Sequence, residues 1–181
     1  MPNWCSNRVT VWSNDEDAMR KFKDAVSIEF SGADKDGPWS RFQHFSFEAI
    51  LPMPKELKNV KSPVIIMTEA EIETYKEEHL ESEWCLGNLP ITQERSQELY
   101  DKYGADNWYD WCIENWTSKW DACDISLDDD ESDHLTYKFE TPWGPPESVY
   151  YTLKEQHPNV HITWFYDEPG MEFAGYLGDE K

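Results

Sequence analysis

The chain has 181 residues, of which 37 are acidic and 16 basic, for a formal net charge of −21. Binding to nucleic acid or to an anionic membrane needs clustered Lys and Arg, so neither is expected, and a basic surface is the natural counterpart. Mean hydropathy is low at −0.81. Ten Trp, nine Tyr and eight Phe offset it, because each buried ring removes a large area from water. The expectation is one folded domain over residues 1–181.

The N-terminal residues alternate. Cys5, Asn7, Val9 and Val11 share one face of a strand over 4–12, and Arg8, Thr10 and Trp12 share the other. Ser13 stands three residues before Glu16, as in a capping box, and Ala18, Met19, Phe22, Ala25 and Val26 make the inner face of a helix over about 15–27. Residues 31–41, rich in Gly and Asp, read as a loop. Phe45, Phe47, Ala49 and Leu51 alternate as a second strand, stopped by Pro52 and Pro54.

Residues 55–116 read as a helical insertion within the domain. An irregular stretch over 55–66 leads to an acidic helix over 68–82, capped by Thr68 and thinly apolar. A second helix over 92–103 is capped by Thr92 and ended by Gly104. A third, over 106–116, carries Trp108, Trp111, Cys112 and Trp116 as an aromatic stripe. That stripe is expected to pack the insertion onto the sheet.

Alternation then returns. Cys123, Ile125 and Leu127 form a strand, Asp128 to Asp133 an acidic turn, and Leu135, Tyr137 and Phe139 the return strand. Pro145 and Pro146 suit the first turn of a helix that Pro158 ends, with Val149, Tyr150 and Leu153 inward. A last hairpin joins Val160–Tyr166 to Met171–Leu177. The fold class is therefore α+β: an antiparallel or mixed sheet, ferredoxin-like in plan, with helices on one face.

The four cysteines, Cys5, Cys85, Cys112 and Cys123, show no CxxC spacing and no zinc pattern with the histidines. No apolar leader and no apolar run of about 18 residues is present, so the chain is expected in the cytoplasm with reduced thiols. The carboxylates Asp121, Asp124, Asp167, Glu168 and Glu172 are candidates for acid–base work only by abundance. Cys5 with His44 or His161 has no local signature of a nucleophile pair. An EF-hand loop begun at Asp128 would need Gly at 133 and Glu at 139, where the chain has Asp133 and Phe139. No catalytic residue, metal site or cofactor is expected.

Several segments carry a family resemblance: Met1-Pro2-Asn3-Trp4-Cys5-Ser6-Asn7, Phe45–Pro54, Asn115–Asp121, Thr141-Pro142-Trp143-Gly144-Pro145-Pro146 and Tyr166–Gly175. In this order they resemble the YubB-like proteins of phages and plasmids. That resemblance implies a ferredoxin-like fold, a mobile-element origin and a bacterial host cytoplasm. It implies no established activity, and no iron–sulfur site follows from the cysteine spacing.

Charge supplies the functional expectation. Duplex DNA carries about two charges per 3.4 Å step, so −21 matches roughly ten base pairs. The expected function is a non-enzymatic accessory protein that binds a basic host protein, a nucleic-acid-binding defence enzyme among the candidates, as an anti-CRISPR or anti-restriction mimic of nucleic acid. The expected contact residues are Glu69, Glu73, Glu77 and Glu81 on the acidic helix, with Asp128, Asp129, Asp130, Glu131 and Asp133 at the hairpin. The alternative is a carboxylate-metal enzyme acting on nucleotides or polynucleotides.

Overall fold

In the computed structural model, which describes residues 2–34, 37–79 and 89–178, the first alternating segment is strand β1 (Trp4–Trp12). Cys5, Asn7, Val9 and Val11 are buried, and Arg8 and Trp12 face out. Helix α1 (Glu16–Val26) follows and buries Met19, Phe22 and Val26. Its cap is Asp15, not Ser13: the Asp15 carboxylate accepts from the amides of Asp17 and Ala18. Ser13 instead accepts from the Asp15 amide and donates to the Asn159 carbonyl.

Two expectations fail next. Residues 31–34 and 37–41 are not a loop but belong to an antiparallel ribbon, β2 (Ile28–Asp34) with β3 (Gly37–Gln43). Its strands are largely exposed, so no buried face imposes the apolar alternation that would mark them. The segment 45–51 is not a strand: Ser46 caps a short helix, α2 (Phe47–Ile50). Phe45, Phe47 and Ile50 are all buried, and the period-two pattern of Phe45 and Phe47 mimicked a strand.

Residues 53–115 cluster as one compact unit, and 1–52 with 116–181 as another. In the 53–115 unit, α3 (Lys55–Lys58) replaces part of the stretch read as irregular. Helix α4 (Glu69–Glu78) follows Thr68, whose hydroxyl and the Glu71 carboxylate complete a capping box. Helix α5 (Gln93–Tyr103) starts at Thr92 and stops at Gly104, whose φ of 74° suits glycine. Helix α6 (Trp108–Trp116) carries the aromatic stripe. Glu81 and Cys85 lie outside the described residues.

Glu56 ties this unit together electrostatically. It bonds Arg95 at 3.0 Å, Lys102 at 3.1 Å and the Tyr103 hydroxyl. Tyr103, Arg95 and Lys102 hold its carboxyl down from 4.5 to about 2. A depressed carboxyl stabilises the fold above its unfolded pKa, and that stabilisation fades as pH falls from about 4.5 toward 2. Glu56→Gln should therefore lower the thermal midpoint at pH 6, with the gap to wild type closing on titration below pH 4. A gap that does not change with pH would contradict the depression.

The remaining elements complete a five-stranded antiparallel sheet: β4 (Cys123–Asp130), β5 (His134–Pro142), α7 (Glu147–Gln156), β6 (His161–Glu168) and β7 (Phe173–Tyr176). The order is β4-β5-β1-β6-β7. The acidic segment 128–133 is only half a turn. Asp129 and Asp130 pair with Thr136 and Leu135, so the strand runs through the first three aspartates. The prolines also sit earlier than expected, with Pro146 at the N-cap of α7 rather than inside it.

One face of the sheet holds the core. Phe22 of α1 lies against Tyr137, and Tyr150 of α7 against Trp164. Phe45 stacks on Phe139 at 5.0 Å between ring centroids. The path β1-α1-β4-β5-α7-β6, with the other elements inserted after α1, is a ferredoxin-like α+β domain that adds β7 at one edge.

Candidate functional site

The acidic helix α4 presents its carboxylates to solvent. No residue of it is buried. Glu69, Glu73 and Glu77 recur every four positions, about 6 Å apart along the axis, and all are exposed. Glu71 is occupied by its capping box, which holds its carboxyl below the usual glutamate value. Ile72, Tyr75 and His79 are half-buried on another side, with Tyr75 and His79 stacked at 4.2 Å. No ion pair to Glu69, Glu73 or Glu77 occurs among the described residues.

The hairpin carboxylates are differently placed. Asp128 pairs with Lys138 at 2.5 Å and accepts from Ser126. Asp130 pairs with Lys23 of α1. Asp129 lies 4.0 Å from His134 Nε2. The backbone of Glu131 closes the turn onto the His134 carbonyl, and the Asp133 carbonyl accepts from Ser13. The fold thus brings lysines to two of these five acidic residues, Asp128 and Asp130, whereas the α4 glutamates have no ion pair among the described residues. Helix α4 and the hairpin belong to different compact units.

Most residues of the segments that carried the family resemblance lie in the sheet unit. Asn7, buried on β1, donates to the Cys5 carbonyl and to Thr141 Oγ1, and accepts from Trp164 Nε1 at 3.0 Å. Thr141 donates to the Gly144 carbonyl at 2.7 Å. Asp121 accepts from Ser46 Oγ and the Phe47 amide, each at 2.6 Å, from Ala122 at 2.7 Å and from Glu48 at 3.4 Å. Burial pushes its carboxyl up, against the pull of these donors. Glu168 is fully buried; one carboxylate oxygen accepts from the Met171 amide and the other has no partner among the described residues. A Cβ at Gly170 would lie 2.8 Å from the Asn3 side chain and 2.9 Å from the Glu168 carboxylate, so a larger residue there would push one of these side chains aside.

None of the candidate catalytic sets assembles. Burial pushes the Cys5 thiol up to about 12, which disfavours the thiolate. His161 stacks on Trp12 at the far end of β1 from Cys5, on the opposite face, and His44 packs edge-on against Phe42. Asp124 and Asp167 line the outer face of the sheet, while Asp121 and Glu168 are committed inside. Among the described residues, no group of three or more His, Cys, Asp or Glu side chains stands close enough to hold a metal ion.

Residues 115–178 match the family model of the ferredoxin-like domain in Api92-like protein. The central strand β1 comes from outside this Api92-like segment, yet completes its sheet between β5 and β6. A crystal structure of a protein Api92 from Yersinia pseudotuberculosis is similar in fold, with a TM-score of 0.50 over 97% of this chain and 93% of that one. The two are 11% identical, so the likeness is one of fold. No curated protein matches the chain in sequence. Among the described residues, no helix is long and apolar enough to cross a membrane.

One constellation escaped the sequence reading. Opposite the core, the sheet exposes Arg8, Lys138, Phe165, Glu140 and Asp167 around an open cavity. Its traces in the sequence are the outward halves of the alternations that became β1, β5 and β6. Its lateral neighbours are set by strand register.

Proposed function

We propose that the chain is a non-enzymatic binding protein whose α4 stripe engages a basic partner protein. The observation that carries this reading is a helix with no buried residue and three exposed glutamates in register that make no ion pair among the described residues. Basic side chains at similar spacing on a partner would gain charge–charge attraction without displacing an internal cation. The finer form of the proposal is a phage or plasmid accessory protein in the host cytoplasm that mimics nucleic acid and inhibits a CRISPR or restriction enzyme. It is supported by the total charge of −21 and by the YubB-like resemblance. The α4 stripe is sparser than one DNA strand, about 6 Å per charge against 3.4 Å, so a short basic segment fits it better than a whole groove does.

An oligo-arginine peptide is the direct probe. Its affinity should fall about tenfold when Glu69, Glu73 and Glu77 are changed together to Gln, and should weaken steeply as salt passes roughly 0.1 M. Changing Asp128, Asp129, Asp130 and Glu131 to Asn and Gln should have a smaller effect, because Lys138 and Lys23 already neutralise part of that set. Unchanged affinity in the α4 variant would remove the surface from consideration. The inhibitor form is tested in a host carrying a CRISPR or restriction system, where expression of the chain should raise plasmid establishment.

A further inference from the structure

The outer face of the sheet is a ladder of cross-strand rows. On β1, Ser6 lies between Asp167 and Glu140, Arg8 between Phe165 and Lys138, Thr10 between Thr163 and Thr136, and Trp12 between His161 and His134. Around the first two rows is an open cavity of about 450 Å³, to which Asp124 adds a further carboxylate from β4. That volume lies in the range of small-molecule sites.

Two features of this cavity run against the character of the chain. Arg8 and Lys138 face each other directly across neighbouring strands, an arrangement that is unfavourable for like charges. Lys138 is drawn toward Asp128. Arg8 instead rests on the Phe165 ring, 5.2 Å from its centroid, and no carboxylate reaches ion-pair distance of it among the described residues. An unpaired arginine is unexpected where acidic residues outnumber basic ones 37 to 16. An anionic group placed beside Arg8, within reach of Lys138, would supply the counter-charge that Asp128 already gives Lys138. One row away, Glu140 and Asp167 flank Ser6 and offer acceptors only, which suits a ligand carrying N–H donors. Ser6 already donates to Glu140 at 2.7 Å. The Phe165–Arg8 stack supplies a flat surface in the row beside these carboxylates.

We propose that this cavity binds a nucleoside monophosphate with an amino-bearing base. The phosphate lies between Arg8 and Lys138, the base lies against the Phe165–Arg8 stack, and its exocyclic amine donates to Glu140 or Asp167. The net negative charge of the chain works against long polynucleotides, whose every further phosphate meets it, far more than against one phosphate held by two cations. The site lies in the sheet unit and does not depend on the α4 reading.

Calorimetry on the full chain with CMP, UMP, cytidine and inorganic phosphate, at low ionic strength, tests the assignment. CMP should bind, with UMP, cytidine and phosphate each weaker by about tenfold or more, since each lacks at least one of the matched groups. Arg8→Met, which keeps a long apolar side chain and removes the guanidinium, and Lys138→Met should each weaken CMP binding about tenfold. Arg20→Ala, on α1 and paired with Asp17, should leave it unchanged. Glu140→Gln should narrow the preference for CMP over UMP. No heat with millimolar CMP, equal binding of CMP and UMP, or full affinity in folded Arg8→Met would each overturn the proposal. So would an oligo-arginine peptide that protects this face while CMP does not bind, which would assign the face to a protein partner.

Discussion

Replacing Trp164 with Ala is expected to cost about 4 kcal/mol of folding free energy. The side chain is fully buried. It packs against Phe45, Phe139 and Tyr150, each with ring centroids between 5.5 and 6.1 Å away. No neighbouring element can fill so large a void without leaving its own strand or helix. The change also strips Asn7 of the donor to its side-chain oxygen, deep in the sheet. Trp164→Phe keeps most of the ring volume and loses that hydrogen bond, so about 1–2 kcal/mol is expected. Urea unfolding measures both. The Ala variant would lose a large share of the total stability of an ordinary domain, about 5–15 kcal/mol. A loss below about 1 kcal/mol for Trp164→Ala would mean that the core is not centred on this ring.

Asp121→Ala is expected to cost about 3 kcal/mol. Its carboxylate gathers three backbone amides and one hydroxyl, and these anchor the turn into α2, where Phe45 and Phe47 enter the core. Ala leaves those donors facing a partly buried space. Asn keeps one acceptor oxygen and should recover roughly half of the loss. The same urea experiment checks the order wild type, Asn, Ala. A separate check is the near-ultraviolet circular dichroism of the packed rings, which should weaken in the Ala variant before unfolding begins. Equal stability of all three proteins would show that the clamp is incidental.

Much of the architecture was readable along the chain. The alternation over residues 4–12 became β1 with its expected faces, and Thr92 and Gly104 bound α5 as anticipated. The two hairpins and α7 fell close to their expected places. The failures share a cause. Phe45 and Phe47 are spaced like strand residues, but what sets their backbone is Asp121, more than seventy positions away. The ribbon β2–β3 has little buried apolar face, so its pairing leaves no periodic mark. The aspartates at 128–130 read as a turn because charge favours exposure; pairing with β5 and the cations of Lys23 and Lys138 draw them into a strand.

The acidic surface with which the functional argument began divides in the same way. That helix α4 exists, where it starts and that it is acidic are local properties: a capping box spans three residues, and helical spacing repeats every few. Which carboxylates remain available is not local. The hairpin aspartates acquire cationic neighbours because β4, β5 and α1 are brought together, while Glu69, Glu73 and Glu77 acquire none among the described residues. The cavity around Arg8 is still less legible. Its rows join Ser6 to Asp167 and Arg8 to Phe165, residues more than 150 positions apart. Sequence periodicity assigns a side chain to a face of its own strand, but the neighbours across that face are chosen by register. Register is decided by the burial of the opposite face, where Val9 lies between Tyr137 and Trp164.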